Sequence, residues 1–262
     1  MEKNDIIILG SGMSILDLSE AEIQYINECP VRIAVNKFMA FYKKVNIMPT
    51  HVYYVDAYQT SVRLFLQYIF DVCRKDKIEN LTFILGKHLN CKKLTSNQLY
   101  FYIKQKYFNL RKNDNSNFFL VPKNCSFEFI SHQDWLEGNE WSNTLERPLF
   151  HYRGSLSTVL NYVSIKYPDR PIKLVGVDFN SPSYFFQDEL EQLNFTWQDW
   201  TTPVTKQEKI HFSAIPYEGT TIFDKFDFIV ENLKSSGNEI FSCSPNSLLV
   251  TKNLVKYGQV NM

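Results

Sequence analysis

The chain has 262 residues with 28 basic and 28 acidic side chains, so its formal charge is zero. That length suits one large domain that can bury a core without disulfides or metals, and a balanced charge argues against a nucleic-acid partner. Five cysteines (Cys29, Cys73, Cys91, Cys125, Cys243) are scattered, with no CxxC and no Cys/His spacing for zinc, which points to a reducing compartment and a metal-free site. No apolar run approaches the ~20 residues of a membrane helix. The opening Met1-Glu2-Lys3-Asn4-Asp5 lacks a signal-peptide pattern. The expectation is a cytoplasmic protein, at most peripheral at the inner membrane.

Ile6-Ile7-Ile8-Leu9 is a short continuous apolar run, as a buried parallel strand requires. It ends in Gly10-Ser11-Gly12-Met13-Ser14, and a helical pattern follows to about Asn27. Strands are predicted at 32–35, 51–55 and 81–85, with an amphipathic helix at 57–73. Residues 87–150 are less regular: a basic helical stretch at 100–111, an Asn-rich turn at 113–117, and strand-like runs around Phe118 and Phe127. A helix at 155–167 stops at Pro168, and Ile172–Val177 reads as a central strand. Residues 181–220 contain Pro182, Pro203 and Pro216 and read as a lid within a single 1–262 domain. A helix (221–233), a strand (239–243) and a last helix from Asn246 complete the pattern. Alternating strands and helices predict an α/β fold, a mainly parallel Rossmann-like sheet covered on both faces.

A Gly-x-Gly between a first strand and a first helix can present backbone N–H groups to a phosphate. The dinucleotide fingerprint nevertheless fails here. Ile15 stands where the third Gly belongs, and the acidic ribose partner is replaced by Asn36. NAD is therefore disfavoured, and no GxxxxGK[ST] loop is present for ATP.

Four segments together resemble the bacterial lipooligosaccharide sialyltransferases of glycosyltransferase family 42. They are Gly10-Ser-Gly-Met-Ser14, Asn36-Lys-Phe38, the pair Arg153-Gly-Ser-Leu-Ser157 and Leu174-Val-Gly-Val-Asp-Phe-Asn180, and Ser244-Pro-Asn-Ser-Leu-Leu249. The resemblance implies a GT-A-like nucleotide-sugar transferase with a CMP-sialic acid donor, a glycan or lipooligosaccharide acceptor and no cofactor or metal. It leaves room for a homo-oligomer. It implies His211 as general base and Tyr184 on the leaving phosphate. Arg153, just before a helix at the switch point, suits an anionic substrate as well as it suits a cap or a salt bridge. The implied donor site comprises Gly10, Ser11, Gly12, Ser14, Asn36, Asp56, Ser155, Ser157, Asp178, Asn180, Asn246, Ser247 and Leu248. Departures from the family are Ser11 for an Asn, Leu156 for a Ser, and Asn180 for a Tyr.

The residue types suit that chemistry. Loss of CMP from an anomeric carbon builds charge on phosphate, which neutral donors can stabilise. A His with a pKa near the working pH can take the acceptor proton. His151, two residues before Arg153, is the rival base. Asp178, at a strand end, reads first as a structural acceptor and second as a proton carrier. Trp197 and Trp200 are either an acceptor platform or lid packing. Two rival functions keep part of this picture: transfer of another CMP-activated nonulosonic acid or Kdo, and a catalytically silent nucleotide- or glycan-binding domain.

Overall fold

The computed structural model describes residues 4–55, 60–90, 93–108, 118–133, 140–193 and 210–261. Asp56, the 113–117 turn, Trp197 and Trp200, and residues 194–209 of the 181–220 segment lie outside the described residues. The main sheet has eight strands, all parallel: β1 (Ile6–Leu9), β2 (Val31–Val35), β3 (His51–Tyr54), β4 (Thr82–Gly86), β7 (Ser126–Ile130), β8 (Ile172–Val175), β9 (Ile240–Ser242) and β10 (Lys256–Tyr257). Their order is β10-β9-β8-β1-β2-β3-β4-β7. A separate two-stranded parallel sheet joins β5 (Lys93–Thr95) to β6 (Phe118–Leu120).

The burial of β1 explains its unbroken apolar run. Ile7 and Leu9 join one core with Ile26 of α1 (Glu20–Glu28), Phe38 to Tyr42, and Leu66, Ile69 and Phe70 of α2 (Thr60–Lys75). Ile6 and Ile8 face the other core, with Val159 and Val163 of α4 (Ser155–Lys166) and Ile229 and Leu233 of α6 (Phe226–Ser235). Successive side chains alternate between faces, so a strand covered on both sides must be apolar at every position. Helices thus cover both faces, as the sequence pattern predicts.

Several boundaries differ from the sequence reading for local reasons. The helix after β1 is not continuous. Residues 13–17 form a 3₁₀ turn, and α1 begins anew at Glu20 because Ser19 and Glu22 make a reciprocal capping box. Likewise Thr221 and Asp224 cap a 3₁₀ turn at 222–225 before α6 begins. The last helix, α7 (Leu248–Thr251), is one turn long, and the chain then adds β10. No expectation covered β5 or β10, each of three residues or fewer.

From β1 the sheet grows toward β4 and β7, then the chain returns through α4 to place β8 on the other side of β1. The order reverses between β1 and β8. In open parallel sheets that point leaves a crevice at the carboxyl ends of the strands, where ligands bind. Among the described residues no helix is long and apolar enough to cross a membrane.

Candidate functional site

Two loops cross at the reversal point. The N–H of Gly10 donates to Val175 O (2.8 Å) and that of Gly12 to Gly176 O (2.7 Å). A Cβ on Gly10 would overlap the Gly176 backbone, and one on Gly12 would overlap the Asp178 carboxylate. Gly176 itself is left-handed (φ +66°). These glycines are therefore required by loop crossing whether or not a phosphate binds. Asp178, 4% exposed, accepts from the N–H of Ser14 (2.8 Å) and from its Oγ (2.5 Å). The structural reading of Asp178 accounts for these contacts.

The C-terminal motif closes the same end. Leu248 N–H donates to Asp178 O (2.9 Å), Ser247 Oγ to Val177 O (2.9 Å), and Asn180 Nδ2 to Asn246 O (2.8 Å). Ser247 is fully buried and caps α7, which makes it a strut.

On the α4 side the two serines separate in role. Ser157 is fully buried, accepting from Tyr152 N–H (2.8 Å) and donating to Gly154 O (2.9 Å). Ser155 instead meets the side chain of Asn36, whose Nδ2 lies 3.2 Å from Ser155 Oγ. Asn36 (φ 55°), Arg153 (φ 56°) and Phe179 (φ 60°) all hold left-handed backbone, a conformation that costs free energy in residues other than Gly and gathers at functional sites. No side chain caps the N-terminus of α4.

His211 packs against this corner. Its N–H donates to Phe179 O (3.0 Å), and its ring meets Phe179 edge-on at 5.6 Å. A Cβ on Gly154 would stand 3.2 Å from Ser213 Oγ, so the 211–214 turn lies directly over the start of α4. Arg153 reaches past it, donating from Nη2 to Ile215 O (2.8 Å) and covering the Tyr217 ring at 5.3 Å. Those contacts tether the 215–217 segment. Burial pushes the His211 imidazole down to about 4. Its Nδ1 accepts from Ser213 N–H at 3.2 Å, which places the ring hydrogen of the neutral form on Nε2. His151 keeps other contacts: its Nδ1 is 2.8 Å from Thr158 Oγ1 on α4, and its ring lies tilted against that of His132 at 4.4 Å, just past the end of β7.

Tyr184 joins His211 at the crevice, with ring centroids 6.4 Å apart. Its neighbour Phe185 donates its N–H to Ser11 O (3.0 Å), which fixes this turn on the Gly10–Ser14 loop. Burial raises the Tyr184 phenol, so it stays a hydrogen-bond donor at neutral pH. Lys37 adds a cation that does not stand out in the sequence. Its Nζ lies over the rings of Tyr184 (5.8 Å) and Phe65 (5.7 Å), and burial lowers it to about 8. The signal was present as the middle residue of Asn36-Lys-Phe38, but only the folded chain reveals its burial. A cation, a phenol and an imidazole thus gather beside the two crossed loops. Among the described residues no three His, Cys, Asp or Glu side chains come together to hold a metal ion.

No protein-family model and no curated protein matches the chain. Among solved structures it is similar to the MAf glycosyltransferase from Magnetospirillum magneticum AMB-1, at 13% identity and a TM-score of 0.46. That similarity covers 98% of this chain and 33% of the other, so the chain spans about a third of that protein's length.

Proposed function

We propose that the chain is an inverting sialyltransferase that moves a sialic acid from CMP-sialic acid to a glycan hydroxyl. The observation that carries this reading is the approach of Tyr184 and His211, from separate segments, to the crossed loops at the sheet's reversal point. The two residues are 27 positions apart in the sequence, and nothing local requires them to meet.

In this reaction the bond between the anomeric carbon and the phosphate oxygen breaks with its electron pair leaving on CMP. A new carbon–oxygen bond forms to the acceptor, whose proton passes to a base. Charge growing on the leaving phosphate is met by the Tyr184 hydroxyl and the Lys37 ammonium, and Ser155 with Asn36 offers hydrogen bonds beside the α4 N-terminus. His211 takes the acceptor proton at Nε2. That role requires its ring hydrogen to sit on Nδ1, so the contact with Ser213 N–H must open when substrates bind.

A second reading, a catalytically silent nucleotide-binding domain, draws on Asn180. Where a hydroxyl would serve the phosphate, its amide is held by Asn246 O. The experiment that separates the two is CMP release from CMP-sialic acid with and without acceptor glycans. Acceptor-stimulated CMP release supports transfer, and CMP binding without release supports the silent domain. Thermal protection by NAD equal to that by CMP would overturn the nucleotide assignment in both.

A further inference from the structure

Between β4 and β7 the chain makes an excursion that carries α3 (Gln98–Phe108), and the exposed face of this helix is inverted for a water-facing element. Leu99, Tyr102 and Ile103 lie at i, i+3 and i+4 on one stripe and are 70%, 55% and 44% exposed. Phe101 turns inward at 7%. A surface helix ordinarily buries its apolar stripe against the core. Here the helix rests on β5 and β6, and β6 in turn is fixed to α2 by Gln67, whose side chain pairs with both the N–H (3.0 Å) and the O (3.1 Å) of Leu120.

Charge is segregated along the segment of sequence that carries this stripe. From Lys87 to Lys112 the sequence holds seven basic residues and no acidic one, which leaves the rest of a neutral chain seven charges negative. Neutral overall charge therefore conceals a locally basic segment, of which Lys87, Lys93, Lys104 and Lys106 lie among the described residues. Lys93 and Lys106 are exposed. Lys93 Nζ lies over Phe118 (5.6 Å), Phe118 meets Tyr100 edge-on, and Lys104 Nζ lies over Tyr100 (5.6 Å). Lys93 and Lys104 are thus held beside the apolar stripe by rings.

We propose that this face of α3 docks on an anionic membrane surface. Leu99, Tyr102 and Ile103 enter the boundary between headgroups and acyl chains, while Lys93, Lys104 and Lys106 meet lipid phosphates. The chemistry of the patch selects this occupant. Tyr102 alone on the stripe can stack on a nucleic-acid base, and Leu99, its most exposed residue, and Ile103 offer a base neither stacking nor hydrogen bonds. A symmetric dimer through the same face would set one basic patch against another. The inference goes beyond the proposed sugar transfer and does not depend on it.

The test is co-sedimentation of the full chain with phosphatidylcholine vesicles, with and without phosphatidylglycerol. Binding should require phosphatidylglycerol and weaken with salt. Leu99→Ser/Ile103→Ser should weaken it about tenfold or more. Lys93→Glu/Lys106→Glu should do the same, since each lysine near such a surface is worth about fivefold. All four side chains are exposed, and unchanged circular dichroism checks that the variants fold. Equal binding to both vesicles, no binding to either, or full binding by both variants would overturn the proposal. So would a dimer in sedimentation velocity that Leu99→Ser/Ile103→Ser dissociates, or displacement of the vesicles by an RNA oligonucleotide.

Discussion

Ser14 and Asp178, 164 positions apart, are joined by two hydrogen bonds, from the Ser14 N–H and from its hydroxyl, to the two oxygens of one carboxylate. The pair clamps the loop after β1 to the loop after β8. It belongs to the fold's closure, so its loss should register first as stability. Charge-assisted hydrogen bonds of this kind are worth roughly 1.5–3 kcal/mol. Asp178→Asn should cost about 2 kcal/mol in urea denaturation and Ser14→Ala somewhat less, with a double-mutant coupling above 0.5 kcal/mol. Normal stability with lost transfer in Asp178→Asn would move Asp178 into the chemistry instead.

His211 and Tyr184 should separate kinetically. A base must be unprotonated, so with a pKa near 4 the rate should fall as pH drops through about 4 rather than 6.5. His211→Ala should lower acceptor-dependent transfer roughly 10²–10⁴-fold with CMP affinity nearly intact. Tyr184→Phe should slow transfer and donor hydrolysis together, leaving the acidic limb in place. If His151→Ala abolishes transfer and His211→Ala does not, the base has been assigned to the wrong segment.

On the proposed reading, Lys37 should set an alkaline limb. Its ammonium is lowered to about 8 by burial, so it is charged below that pH and neutral above it. Donor affinity, read as KM for CMP-sialic acid, should weaken as pH rises through about 8. Lys37→Met should bind donor more weakly at pH 7, and its KM should no longer change across that range. An unchanged alkaline limb in the variant would exclude Lys37 from phosphate binding.

The parts of this site visible in the sequence are those set by local pattern. The apolar run 6–9 and the glycines after it had to be a buried strand and a tight loop, since any Cβ at Gly10 or Gly12 collides with the crossing loop. The order of the four motifs along the chain follows the strand ends that line the crevice. What stayed hidden depends on contacts between distant segments. The burial of Lys37 is produced by Phe65 and Tyr184, and the Nδ1 contact of His211 by a backbone turn. The Ser19–Glu22 box was legible as a capping motif, yet the apolar residues around it resembled one continuous helix. The strands β5 and β10 are too short to carry periodicity.

Acid sensitivity follows from two histidines held neutral. His51 and His211 are both lowered to about 4 from 6.5, mainly by burial. At His51, Glu128 partly offsets the shift, while Lys166 and Arg32 add to it. His51 also has Tyr167 Oη 3.0 Å from Nε2 and Thr50 Oγ1 2.9 Å from Nδ1. For a group whose folded pKa is depressed, the unfolded chain binds more protons between the two values, so stability rises with pH across that window. The stability these histidines contribute is complete above about 6.5 and is lost progressively toward 4. Asp76, Glu128 and Glu189 are also held below their usual range, but their loss begins only as pH falls below about 4.5. The interval from 6.5 to 5 therefore isolates the histidines. Urea midpoints should fall across it by an amount reflecting about 1.4 kcal/mol for each pKa unit titrated. His51→Gln should flatten the slope by about half even if it lowers stability at pH 7.5. A midpoint constant from pH 7.5 to 5 in the parent chain would mean that neither imidazole is held neutral by burial.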